Sequence, residues 1–408
     1  MSKAAMAVAR CVVVAAAITM VGNGTPMAQV QADMTSLDKE LAPYLERYKL
    51  PAVAAAVVKD GKIVAAGVAG TRRIGTVSPL TVKDRFHIGS DTKAMTSLLA
   101  AILIEHPKAG DRVKLDWKTT VGEVYPELLD KMAAGVKDIT LEQLLSHTSG
   151  IPSDREEYIP LLNYSVTDDP ANLDGMRASL VARLVPMALT ARPGQRFEYA
   201  NVGYVLAGAM LEKLAGKTWE ELVVEQIFEP LQMASAGFGP QSSMGRVDAP
   251  LGHALDKNGQ VRAFLAGPWG DNPAIVGPAG TAHMNVLDFA TWAAWNSMEG
   301  GLPPALVKPA TIRKMHTKVI DMPPKPDAPV GTPSSGGYGL GWGTVSLPFS
   351  SEPFVFHGGS NNMNLAYILL QPKKQLGLVA LTNISGPPAN DALKAIAEAL
   401  YKRFGQSP

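Results

Sequence analysis

Ser90-Asp91-Thr92-Lys93 places a hydroxyl and an amine three residues apart, where an extended segment (81–88) runs into an apolar helical run (94–104). Residues at that spacing lie on one face of a helix, about a turn from each other. The Lys93 amine would therefore stand beside the Ser90 hydroxyl at the helix start. There the unpaired backbone N–H groups and the positive end of the macrodipole favour developing negative charge. A serine hydroxyl is a poor nucleophile until a neighbouring base takes its proton, and a lysine with a lowered pKa can be that base. The spacing thus points to acyl transfer through a serine. A second copy of the pattern, Ser36-Leu37-Asp38-Lys39, sits in a charged amphipathic stretch. It reads as a solvated helix start capped by Ser36.

Acyl transfer also needs a proton network and donors aimed at the tetrahedral oxyanion. Tyr199-Ala200-Asn201 is the only Tyr-x-Asn in the chain and precedes a small-residue helical run (202–214). A phenol beside Lys93 would have its pKa lowered by the cation and could shuttle protons. Asn201 offers an amide to bind a substrate carbonyl and to orient Lys93. The same residues also fit a buried tyrosine with a satisfied hydroxyl and a helix-capping asparagine. His357-Gly358-Gly359-Ser360 ends an apolar β-rich run, and its glycines let a substrate lie close to the backbone. The Ser360 and Ser90 N–H groups would then form an oxyanion hole. A plain strand-end turn with a surface histidine reads equally well.

The elements that must carry these groups are visible in the hydrophobic pattern. Apolar residues at Leu37, Leu41 and Leu45 predict a helix over 34–48. Runs 52–58 and 63–68, separated by Lys59-Asp60-Gly61-Lys62, predict a hairpin. Near the C-terminus 338–345, 354–357, 365–371 and 376–382 predict strands, and 391–404 a closing helix. Between about 90 and 270 the signals are mainly helical. The expected fold is therefore α/β (α+β): an antiparallel sheet flanked by helices and built from both chain ends, with an inserted, mainly helical domain. The expected catalytic unit is 35–405, divided into an α/β subdomain (35–89 plus 271–405) and a helical subdomain (90–270). Ser90 falls at the first crossover, and clefts between such layers are where small-molecule sites form.

The chain has 408 residues, 46% of them hydrophobic, which suffices for one large domain. Its formal charge is +1, without a basic cluster, so nucleic acid is not an expected partner. Residues 1–28 read as a secretory signal: Lys3 and Arg10 are the positive start, an apolar run covers 11–21, and Met27-Ala28 precedes cleavage. About eleven apolar residues are too few to span a bilayer, so no stable membrane insertion is expected once the signal is gone; an uncleaved anchor is the alternative. Removing 1–28 leaves 36 cations against 37 acids, a charge of −1. The single cysteine, Cys11, falls in the signal. The mature chain would then have no thiol nucleophile, thiolate metal site or disulfide, which suits a periplasmic or secreted protein. The histidines show no metal spacing, and no cofactor is expected.

In these residues the chain resembles the serine β-lactamase and penicillin-binding-protein superfamily, in its class C β-lactamase-like branch. Ser90-x-x-Lys93, Tyr199-x-Asn201 and His357-x-Gly359 occur in the family's order. So do Phe86-His87-Ile88-Gly89 before the serine, Leu144-Leu145-Ser146-His147-Thr148-Ser149-Gly150-Ile151-Pro152, Gly277-Pro278-Ala279-Gly280 and Tyr338-Gly339-Leu340-Gly341-Trp342-Gly343. The resemblance covers about 35–405. It implies Ser90 as the nucleophile of an acyl-enzyme, Lys93 and Tyr199 as the acid–base network, and Asn201 with His357-Gly358-Gly359-Ser360 as substrate contacts. His147 belongs to a segment that resembles a structural element.

One departure bears on substrate. Many β-lactamases of the superfamily carry Lys-Thr-Gly where this chain has His357-Gly358-Gly359. A histidine with an ordinary pKa near 6.5 is mostly neutral at pH 7 and would gain charge near pH 5.5, strengthening the hold on anionic substrates only there. The pattern is similar to the esterases and D-amino-acid peptidases of the branch. Ester or amide hydrolysis, on a small molecule or a cell-wall peptide, is expected ahead of strong β-lactamase activity. An acylatable penicillin-binding sensor without turnover is the alternative. The Pro-rich loop 263–278 with Trp269, together with Trp342, could line an uncharged acyl pocket.

Overall fold

The computed structural model describes residues 34–107, 113–152, 173–267 and 270–405. The signal reading of 1–28 and the place of Trp269 lie outside them. From Met34 onward the chain forms one compact unit. Strands β1 (Thr35–Ser36), β2 (Ala52–Lys59) and β3 (Lys62–Gly70) come from the N-terminal end. Short strands β4 (Arg85–His87), β5 (Gly237–Phe238), β6 (Gly252–Leu255), β7 (Val261–Phe264) and β8 (Ala282–Asn285) follow. The C-terminal part adds β9 (Ile320–Met322), β10 (Gly336–Tyr338), β11 (Gly343–Val345), β12 (Phe354–Ser360), β13 (Leu365–Gln371) and β14 (Leu376–Thr382). The helices that concern the site and its support are α1 (Asp38–Tyr48), α2 (Thr92–Glu105), α3 (Leu141–Leu145), α4 (Leu173–Leu184), α5 (Asn201–Ala215), α6 (Gly277–Gly280), α7 (Val286–Ser297) and α8 (Pro387–Leu400).

The main sheet runs β1-β3-β2-β14-β13-β12-β11-β10-β9, so strands from the two ends of the chain meet where β2 pairs with β14. Every pair is antiparallel except β1–β3, which is parallel. That short parallel edge departs from the purely antiparallel sheet expected of the sequence. Ser36 lies on it, so α1 starts only at Asp38 with Leu37, not the expected Ser36, in the cap position; Ser36, Asp38 and Lys39 are exposed and Leu37 is buried.

Side chains alternate across a strand, and the central strands are covered on both faces. Ala52, Ala54, Ala56 and Val58 of β2 enter one core, while Val53, Ala55 and Val57 enter the other. Ala366, Ile368 and Leu370 of β13 point to the first, and Leu365, Tyr367 and Leu369 to the second. Two-sided burial is why these strands read as unbroken apolar runs rather than alternating ones. Helix α7 and the helices of the middle segment close the first core; α1 and α8 close the second.

The Asp60-Gly61 turn takes the left-handed conformation at both residues (φ 50° and 74°), as a two-residue hairpin requires. The segment 338–345, expected as one strand, is instead a β10–β11 hairpin. Gly341 turns it at φ 76°, with Leu340 and Trp342 buried on either side. Trp342 is therefore a core residue stacked near Trp292 (centroids 6.4 Å apart), and not a wall of an acyl pocket.

The end of β12 lies directly on the turn Gly89–Asp91 that leads into α2. A Cβ on Gly359 would come within 1.9 Å of the Ile88 carbonyl oxygen and 2.6 Å of the Ser90 nitrogen. One on Gly89, at φ 51°, would come within 2.3 Å of the Ser360 nitrogen. Bare backbone on both sides is what allows the contact. Gly359→Ala should therefore push the two segments apart and slow Ser90 chemistry by roughly 10²-fold, the scale for a displacement near 1 Å. Steady-state kinetics on a folded variant checks it, and unchanged turnover would mean that the contact has slack.

Candidate active site

The α2 helix begins at Thr92, and the preceding Gly89–Asp91 is a single 3₁₀ turn. The Thr92 hydroxyl donates to the Gly89 carbonyl (2.6 Å) and accepts from the Ala282 N–H (3.1 Å), tying the turn to β8. This arrangement puts Lys93 Nζ 2.9 Å from Ser90 Oγ. Lys93 is 0% exposed, whereas Ser90 is partly open to a cleft of about 930 Å³. The cleft is also lined by Tyr199, Asn201 and Ser360.

The amine has two further partners, each contributed by a distant segment. It donates to Asn201 Oδ1 (2.7 Å) and to the Ala279 carbonyl (2.7 Å). Asn201 is the first residue of α5, and its side chain serves Lys93 rather than capping the helix. Ala279 lies in the four-residue α6, whose Pro278 carbonyl accepts from Thr96 Oγ1 (2.7 Å). These two oxygens can only accept, so they fix two N–H bonds of the amine. The third position faces a hydroxyl, which can either accept from an ammonium or donate to a neutral amine's lone pair. A proton can therefore pass from Ser90 to Lys93 without any heavy atom moving.

Tyr199 lies over the same amine, its ring centroid 4.8 Å from Nζ, with Tyr204 at 5.5 Å. The loop carrying Tyr199 is held by His147. The buried His147 Nδ1 accepts from the Ala200 N–H (3.2 Å), and its carbonyl accepts from the Glu198 N–H (2.8 Å). His147 itself sits at φ 57°, just beyond α3. Burial, with Lys93 and His357 nearby, holds it well below its ordinary pKa and thus neutral. The segment 144–150 positions Tyr199 and Asn201 by this means.

His357 is placed otherwise than expected. It is 0% exposed and does not line the cleft. Its Nδ1 lies 2.8 Å from the Gly358 carbonyl and its Nε2 3.0 Å from the Tyr338 hydroxyl. A carbonyl can only accept, so the ring proton is on Nδ1 and Nε2 accepts from the phenol. Burial, reinforced by Lys93, pulls the histidine down to about 3. It therefore cannot read a substrate's charge near neutrality. Gly358 is packed against Tyr367 and Gly331, and Ser360 alone of the four residues reaches the cleft. Asp91, behind Ser90, is likewise 0% exposed and has no hydrogen-bond partner among the described residues; burial raises its pKa well above the carboxylate range, against the opposing pull of Lys93. The neutral His357 ring lies beside it, with Nδ1 3.8 Å from Asp91 Oδ1.

Sequence reasoning brought Ser90, Lys93, Tyr199, Asn201 and Ser360 to one cleft, and it missed Ala279. A backbone carbonyl has no residue-type signature. Only the Gly277-Pro278-Ala279-Gly280 segment, noted for its resemblance, marked the place. Among the described residues no cluster of three or more acidic, histidine or cysteine side chains could hold a metal ion, and no helix is long and apolar enough to cross a membrane.

Fold and site together define a class: an α/β protein of the β-lactamase and penicillin-binding type, with a serine at the centre of its cleft. The chain belongs to the beta-lactamase family, whose model matches residues 37–402. Among curated relatives, protein flp of Staphylococcus aureus (strain N315) is 24% identical over 349 residues, 86% of this chain and 63% of the relative. The unguisins hydrolase ungD' of Aspergillus campestris (strain IBT 28561) is 26% identical over 363 residues, 88% of this chain and 62% of the relative. The chain thus spans less than two thirds of the length of these relatives. Among solved structures, the octameric penicillin-binding protein homologue from Pyrococcus abyssi has a TM-score of 0.69 at 26% identity, covering 94% of this chain and 78% of that one. A D-stereospecific amidohydrolase from Streptomyces sp. shares the fold, with a TM-score of 0.63 at 22% identity over 94% of this chain and all of that one.

With His357 held neutral, the Michaelis constant for a carboxylate-bearing substrate should stay flat from pH 7.5 to 5.5. A depressed histidine charges only as pH falls toward its lowered value, about 3. A constant that falls steadily across the window would return His357 to the substrate.

Proposed function

We propose that the protein is a secreted serine hydrolase that cleaves ester or amide bonds through an acyl-enzyme on Ser90. The observation that carries this reading is the 2.9 Å contact between Lys93 Nζ and Ser90 Oγ beside an open cleft, with the amine also donating to Asn201 Oδ1 and the Ala279 carbonyl. Lys93 takes the hydroxyl proton as Oγ adds to the substrate carbonyl. The N–H groups of Ser90 and Ser360, adjacent because Gly89 and Gly359 allow it, receive the oxyanion. Collapse expels the alcohol or amine, which takes its proton from the Lys93–Tyr199 pair; water then reverses the sequence to free the acid. Family membership and the hydrolase names among the relatives support a hydrolase.

Esters and D-amino-acid amides or peptides rank ahead of β-lactams. The buried, neutral His357 supplies no cation for a β-lactam carboxylate, and the fold shared with a D-stereospecific amidohydrolase supports the amide option. Export is proposed on the pattern of Lys3, Arg10 and the apolar run 11–21.

Turnover of a short-chain aryl ester, a D-amino amide and a cephalosporin by the purified protein tests the reading. Ester or amide should lead and Ser90→Ala should be inactive. Tyr199→Phe should retain the fold and lose roughly 10²–10⁴ in kcat, the scale of a general acid–base group. A cephalosporin hydrolysed fastest would reverse the ranking. Covalent capture on Ser90 without turnover of any substrate would favour an acylatable binding protein.

A further inference from the structure

We propose that His87, backed by Asp271 and Asn361, is a positioning device that locks the Gly89–Ser90 backbone against the Ser360 end of β12. The inference rests on the acyl-transfer reading above and adds residues that do not touch the cleft. The imidazole of His87 is 0% exposed at the end of β4. Its Nδ1 accepts the N–H of Gly89 at 3.0 Å. Only an unprotonated Nδ1 can do so, which puts the ring proton on Nε2. Nε2 stands 2.7 Å from Asp271 Oδ1, so the neutral ring abuts the carboxylate without the alignment of a full hydrogen bond.

The same carboxylate oxygen accepts from Asn361 Nδ2 (3.0 Å) and from the Asn272 N–H (2.7 Å). Asn361 directly follows Ser360, and its own Oδ1 accepts from the Met363 N–H (3.2 Å) and Asn364 Nδ2 (3.0 Å). Asn272 Nδ2 in turn donates to the Gly280 carbonyl (2.7 Å), one residue from the carbonyl that holds Lys93. Four pieces of backbone that frame the nucleophile therefore converge on one buried carboxylate: the residue before Ser90, the residue after Ser360, the residue after Ala279, and Asn272.

Nothing about packing calls for this set. An apolar pair of the same volume would fill the space without the desolvation that a buried carboxylate incurs, and the second oxygen of Asp271 is buried with no partner among the described residues. What the polar set adds is direction: one N–H, that of Gly89 in its left-handed conformation, is aimed and held. His283, paired with His87 in the β4–β8 register, donates Nδ1–H to the Gly239 carbonyl, and burial lowers it to about 4. It brings no competing charge.

The test uses two half-mimics of the ring. His87→Asn keeps an acceptor near the Nδ1 position and loses the reach to Asp271; His87→Gln keeps a donor near Nε2 and loses the acceptor for Gly89. Each is compared with wild type for the rate at which a fluorophosphonate labels Ser90, for kcat and KM on an aryl ester, and for melting temperature. The expected result is that His87→Gln labels about 10²-fold more slowly, with KM changed less than about threefold, while His87→Asn stays within about tenfold of wild type. Wild-type labelling by His87→Gln, or both variants slowing in proportion to a fall in melting temperature, overturns the inference. Should His87→Gln not fold, Asp271→Asn takes its place, with slower labelling at constant KM expected and unchanged labelling overturning the claim. A wild-type protein that fails to label sinks the acyl-transfer reading itself, which separates the two failures.

Discussion

A lysine amine with no exposure to water must find its hydrogen-bond partners in the protein, and the three around Lys93 come from three separate parts of the chain. Ser90 is supplied by the turn before α2, Asn201 by the start of α5 and the Ala279 carbonyl by α6. Leaving any of these positions empty would strand a buried polar group, a cost of about 1–3 kcal/mol or more when charge is involved. The helices of the middle segment are held to the strand-rich ends around this one atom. Two of its contacts are fixed by oxygens that can only accept, while the Ser90 hydroxyl can exchange a proton with the amine. Structural demand and chemical function coincide at a single nitrogen.

The sheet contributes the other half of the site by approaching closely rather than by offering side chains. The end of β12 reaches the Ser90 turn because neither Gly89 nor Gly359 has a Cβ, and this brings the Ser90 and Ser360 nitrogens together. His357, three residues before Ser360, faces inward toward Tyr338 and Asp91. The strand that delivers Ser360 to the cleft therefore buries its histidine, because successive side chains point to opposite sides. With its histidine turned inward, β12 brings no cation of its own to the cleft, whose charged lining residues are Arg196, Glu198 and Lys325.

How much of this could be read from the sequence depended on whether the information was local. The β2–β3 hairpin, the closing helix and strands β13 and β14 were legible because periodicity and the Asp60-Gly61 turn are written in consecutive residues. Ser90 and Lys93 were legible because three-residue spacing implies contact in any helix. Tyr199, Asn201 and Ser360 required motif order, since no local rule links residues more than a hundred positions apart. The fate of 338–345 was not legible: its glycines permit either a strand or a turn, and the choice is made by burial of Leu340 and Trp342. His357 was misjudged for a similar reason. Its pKa follows from tertiary burial, whereas its place in the sequence suggested an exposed strand end. Ala279 and Asp271 act through backbone position and through distant partners, which residue type alone does not reveal.

The central claim is that the Lys93 amine activates Ser90. The most direct measurement is intact-protein mass after timed exposure to a fluorophosphonate, for wild type beside Lys93→Met, which fills nearly the same volume without a base. The account predicts an adduct on Ser90 in wild type, and labelling slower by roughly 10²–10⁴ in a variant with native-like circular dichroism. A folded Lys93→Met protein that labels at the wild-type rate would contradict it and would require the base to be sought elsewhere in the cleft.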